Sequence, residues 1–136
     1  MMQQTPLLLA TGLILGLLVV LPRVVRWWAA QRRAAALLRE VLGEAAYRQL
    51  NQHGYLEVHS PSRPGQRYRI PRQKGLVTVY DGEELIMSLC VQPMVRIPGD
   101  DTVLMHKLMI EGNEAEYLRV ANRREVTLTA RGCHGK

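Results

Sequence analysis

The sequence predicts an α+β protein hung from one N-terminal transmembrane helix. Three observations carry this reading. An uncharged apolar run opens the chain. A helical stripe follows it. Short alternating segments then precede two helical patterns, an order that belongs to α+β rather than βαβ architecture.

The chain has 136 residues, with 18 Lys and Arg against 12 Asp and Glu. That length suits one modest domain plus an appendage. The basic balance admits anionic lipid, nucleic acid or an acidic protein as partner. The two cysteines, Cys90 and Cys133, form no disulfide framework by spacing, which agrees with a reducing compartment.

Pro6 to Leu21, "PLLLATGLILGLLVVL", contains no ionisable group. With its boundaries it supplies about 18 residues, or about 27 Å of helix, the short end of a membrane span. Arg23 and Arg26 can snorkel to the headgroups, as can Arg32 and Arg33 beyond them. Trp27 and Trp28 fall at interface depth, where amphipathic rings are favoured. A secretory signal peptide is the rival reading. It requires a basic start and a clean small-residue cleavage site, whereas "MMQQTP" has no Lys or Arg and the apolar run leads into Arg-rich sequence. Arg23, Arg26, Arg32, Arg33 and Arg39 follow the span and none precedes it. The positive-inside rule therefore predicts a bacterial inner-membrane protein with its N-terminus outside and its soluble domain in the cytoplasm. Gly12 and Gly16 form G-x-x-x-G, a spacing that lets two helices approach closely, although glycine is common in such spans.

Ala29 to His53 reads as an amphipathic neck helix. Leu38, Val41, Leu42, Ala45 and Leu50 recur at helical spacing, Glu44 and Arg48 stand four apart, and Gly54 suits a left-handed cap. The stripe implies packing onto the following domain, residues 54–128. There "YLEV", "RYRI", "LVTVY" and "LIMSLCV" alternate, and Asp81-Gly82 marks a hairpin. Asp100 or Asp101 is placed to cap a helix over "TVLMHKLMIE", in which Leu104, Met105, Leu108 and Met109 make the surface apolar almost all round. Asn113 with Glu116 forms a capping-box pattern for a second helix, "EAEYLRVAN". "EVTLT" reads as a last strand, and residues 129–136 as a disordered tail. From "YRIP" through "LCVQP" to "LMHKLMIEGNEAEYLRVAN", Tyr68 to Asn122, the chain resembles a small bacterial α+β domain with no assigned activity. The resemblance implies a folded module and transfers no functional residues.

The chemistry-bearing residues point away from catalysis. His53, His59, His106 and His134 lack metal-site spacing, and no phosphate-loop, dinucleotide or nucleophile-elbow motif occurs. Glu83-Glu84 and Asp100-Asp101 fall at a turn and a helix start, so no catalytic residue and no cofactor is expected. One basic cluster remains: Arg63, Arg67, Arg69, Arg72 and Lys74, with no acid between Ser60 and Gly75. It can be a solvated sheet face, a loop near the headgroups, a protein or lipid contact, or a weak nucleic-acid surface. The sequence thus predicts a non-catalytic structural or accessory subunit of a larger membrane complex, of the respiratory or photosynthetic type. Its partners would be lipids and other transmembrane subunits, or itself through Gly12 and Gly16. The alternative is an independent membrane-tethered module for an acidic protein, anionic lipid or nucleic acid.

Overall fold

The computed structural model describes residues 5–124. The chain divides into two compact units, Met1–Arg33 and Ala34–Lys136. The division falls within the first helix, α1 (Thr5–Leu42), which carries Pro22 in its interior.

In the first unit, α1 exposes its apolar side chains. Ile14, Leu15, Leu17, Leu18, Val19, Val20 and Leu21 are each at least half exposed, with Leu18 at 69%. An apolar helical face left bare by its own chain belongs against a bilayer or another protein. A Cβ built on Gly12 or Gly16 meets nothing within 4 Å, so both glycines lie on open helix surface.

The second unit begins with the end of α1 and continues into α2 (Glu44–His53). The sequence pattern predicts one neck helix, but the helix breaks at Gly43, whose φ of 76° and ψ of 162° no other residue type adopts readily. Arg39 and Glu44 bridge the break with a bidentate ion pair of 2.5 and 2.7 Å, so Glu44 pairs backward rather than with Arg48. Gly54 ends α2 in the left-handed conformation, its N–H donating to the Leu50 carbonyl, as the pattern requires.

Five antiparallel strands then form a meander in sequence order: β1 (Tyr55–His59), β2 (Gln66–Pro71), β3 (Val77–Asp81), β4 (Glu84–Cys90) and β5 (Asn122–Arg124). Gly82 and Glu83 turn the β3–β4 hairpin, and the register shifts between Val79 and Tyr80. Side chains alternate across the sheet. Leu56, Val58, Tyr68, Ile70, Val77, Val79 and Leu89 are buried in one cluster with Val103, Leu104, Ile110 and Tyr117 of α3 (Gly99–Val120). Leu38 and Leu50 join that core, both fully buried, so the neck packs onto the domain as its apolar stripe implies.

α3 holds the two helical stretches that the pattern predicts, separated at Asn113, whose φ is −158° and ψ 81°, but its capping and exposure differ from expectation. The Asn113 carboxamide oxygen accepts the Glu116 N–H at 3.1 Å, while the Glu116 carboxylate turns to Arg119; half of the capping box forms. At the start of the helix no side chain caps, because Asp100 is drawn into an ion pair with Arg72. Leu108 is 54% exposed, since the core takes one face of the helix only. "EVTLT" and the tail lie outside the described residues.

Candidate functional site

The basic residues of the sequence cluster go to different tasks. Arg67 and Arg69 project from β2 onto the face of the sheet opposite the core. Arg69 lies over the Tyr80 ring at 4.4 Å and the Tyr55 ring at 5.0 Å from the centroids, and donates to Glu57 at 3.1 Å. That carboxylate holds the Arg69 guanidinium firmly charged. Arg67 reaches Glu83 at 3.0 Å and Glu57 at 3.7 Å, while its Nε is buried without a hydrogen-bond partner. These are cation–π and charge pairings within one face, each of modest strength at partial exposure. Arg72 turns the other way. It forms a bidentate pair with buried Asp100 at 2.9 and 3.0 Å and donates to the Tyr47 hydroxyl at 3.3 Å. It thereby fastens β2 to the start of α3 and to α2. Arg63 lies on the exposed β1–β2 loop and Lys74 on the exposed turn before β3.

Sequence reading missed the most concentrated polar chemistry of the domain. Glu114, just past the α3 kink, is 7% exposed. Its carboxylate accepts from Ser60 Oγ (2.6 Å), from the Ser62 N–H (3.0 Å) and Oγ (2.5 Å), and from the Tyr68 hydroxyl (2.5 Å). Burial pushes the Glu114 carboxyl upward, but the hydrogen bonds from Ser60, Ser62 and Tyr68 outweigh it and hold the group below its ordinary value. Burial, reinforced by Glu114, raises the Tyr68 hydroxyl. Tyr68 meets Tyr117 edge to face at 6.2 Å, and Tyr117 meets His106 likewise at 5.8 Å. The Tyr117 hydroxyl lies 2.9 Å from His106 Nδ1, which accepts it when the neutral ring carries its proton on Nε2. The only forward signal was the pair Ser60 and Ser62 in a polar loop, and that does not reveal the carboxylate they meet.

Burial depresses His106 from an ordinary value near 6.5 to about 4. The ring is neutral at pH 7 in the folded chain. As pH falls below about 6.5 the unfolded chain binds a proton that the folded chain refuses, so stability is present above that value and is lost toward pH 4. The shift corresponds to about 3 kcal/mol across that window. A urea-unfolding series from pH 7 to 4.5 is expected to show this slope and to flatten in His106→Gln. An unchanged slope in the variant would assign the acid sensitivity elsewhere.

The Glu114 carboxylate accepts four hydrogen bonds and fastens the β1–β2 loop to α3, while His106 is neutral and enclosed. A cleft of about 330 Å³ lies instead between α2 and β1, lined by Ala46, Gln49, Leu50, His53, Tyr55, Leu56, Glu57 and His59. Among the described residues no group of three or more His, Cys, Asp or Glu is arranged to hold a metal ion. Cys90 lies buried at the end of β4, and Cys133 lies outside the described residues.

In the first unit Arg23, Arg26, Arg32 and Arg33 are exposed, Trp28 is 63% exposed and Trp27 37%. From Ile14 onward, α1 is long and apolar enough to cross a membrane. Comparison with family models, curated proteins and solved structures returned no match for this chain.

Proposed function

We propose that this chain is a non-catalytic, single-pass membrane protein that serves as a structural or accessory subunit of a larger membrane complex. One observation carries the reading: a long apolar helix, exposed from Ile14 to Trp28, precedes a domain whose buried polar groups are spent on holding it together. The open surface at Gly12 and Gly16 supports contact with another helix, since small residues admit the close packing that drives association in lipid.

The arginine asymmetry favours a cytoplasmic domain in a bacterial inner membrane. A tethered module acting without membrane partners is the alternative to the subunit.

Extraction in mild detergent separates these readings. A subunit is expected to arrive with stoichiometric membrane partners, and Gly12→Leu or Gly16→Leu to weaken their recovery by about 1–2 kcal/mol while the chain stays inserted. Recovery equal to that of Leu17→Ile would put the glycines against lipid, and a chain arriving alone would favour the module. Protease added to spheroplasts from the same cells is expected to spare the domain; its digestion from outside would reverse the orientation.

A further inference from the structure

The β1–β2 ladder decides where the remaining backbone groups of β1 point. Leu56 pairs with Ile70 and Val58 with Tyr68. At one end of the ladder the Arg72 N–H donates to the Gly54 carbonyl at 2.9 Å, and at the other the Ser60 N–H donates to the Gln66 carbonyl at 2.9 Å. Hydrogen-bonded and non-hydrogen-bonded positions alternate along an antiparallel pair. Gly54, Leu56, Val58 and Ser60 therefore bond to β2. Tyr55, Glu57 and His59 occupy the positions between, so their N–H and C=O groups point away from β2. β1 is the edge of the sheet. Among the described residues, no turn, loop or cap backbone hydrogen bond involves these three.

The same three residues line the cleft against α2. The cleft joins a row of edge donors and acceptors to an apolar floor of Leu50 and Leu56, with Ala46, Gln49 and His53 on the helix side. An extended chain satisfies such an edge through its backbone and sets alternate side chains into the groove.

We propose that the β1 edge takes up an extended segment of a partner protein, added as a further strand in the cleft between β1 and α2. The segment is free of proline over about five residues and sets an apolar side chain on Leu50 and Leu56. A second copy of this chain fits less well. Symmetric antiparallel pairing that overlaps the whole of β1 with a second β1 centres on Glu57 and sets it directly opposite its counterpart, a like-charge cross-strand pair that is destabilising. The proposal rests on the reading of this chain as a protein-binding subunit and specifies how it grips.

The test is amide hydrogen exchange on the full chain in mild detergent. The probe is a blocked peptide of alternating Thr and Val, about seven residues long to span β1. In the free chain the Tyr55, Glu57 and His59 amides are expected to exchange about 100-fold faster than those of Leu56 and Val58, because only the latter are bonded in the ladder. The peptide is expected to slow those three by about tenfold or more, and a version N-methylated at alternate residues to leave them unchanged. His59→Pro should abolish the protection, since proline removes an edge donor, while His59→Ala should retain it. Absence of peptide binding, or protection at other amides only, overturns the proposal. So does protection that rises with chain concentration without peptide, which assigns the edge to a second copy. Partner recovery in detergent unaffected by His59→Pro would remove the edge from the subunit reading and leave that reading standing. Peptide protection in a chain that purifies without partners would do the reverse.

Discussion

Glu114→Ala is expected to destabilise the domain by about 3–4 kcal/mol. The carboxylate is the common acceptor for Ser60, Ser62 and Tyr68. Its removal leaves a buried tyrosine hydroxyl without its partner and frees the β1–β2 loop from α3. A buried donor left unmade costs about 1–3 kcal/mol, and the loop can recover part of that loss by meeting water. Glu114→Gln keeps one acceptor oxygen and should lose roughly half as much. Urea unfolding of the full chain in detergent, followed by circular dichroism, measures both. Equal midpoints for Glu114→Ala and the parent would mean that the network does not hold the loop.

Leu38→Ala is expected to cost about 3 kcal/mol through lost burial and the cavity it leaves. Leu38 is fully buried in the core of the second unit, whereas its neighbour Leu37 is 46% exposed. Leu37→Ala should change stability by less than about 0.5 kcal/mol. The pair tests whether the end of α1 is part of the domain, because both substitutions alter helix propensity alike. Matching losses would show that the leucine acts through the helix and not through the core.

The fold was legible where period and turn chemistry agree. Tyr68 and Ile70 alternate with Arg67 and Arg69, Asp81-Gly82 closes a hairpin, and Leu38 and Leu50 share a stripe. Each is a local signal within a few residues. The break at Gly43 was hidden because good helix formers surround it and a single glycine is tolerated inside helices. The exposure of Leu108 was hidden because an apolar pattern does not say how many faces the tertiary structure covers. At the candidate site, the basic cluster reads as one patch because its members are close in sequence. Arg72 leaves that patch through Asp100, 28 residues away, and Glu114 meets Ser60 across 54 residues. Pairings of that range leave no mark on a local pattern. The β1 edge was out of reach for the same reason, since which strand ends a sheet depends on the whole topology.

The strand order has a consequence for how the domain assembles. Every strand from β1 to β4 pairs with its neighbour in sequence, so the sheet grows by closing short loops; Ser60 and Gln66, bonded across the first turn, are six residues apart. Docking α3 through Glu114 closes a segment of 54 residues. Each doubling of loop length adds about 0.6 kcal/mol of closure entropy, so closing this roughly ninefold longer segment from the unstructured chain adds about 2 kcal/mol, a cost that zipping the meander first reduces. The meander can zip early on local contacts, and the helix arrives last as a clasp. The bonds that close the clasp are those of one carboxylate with two serines and a tyrosine, and on unfolding the same long loop is the first whose release returns substantial chain entropy.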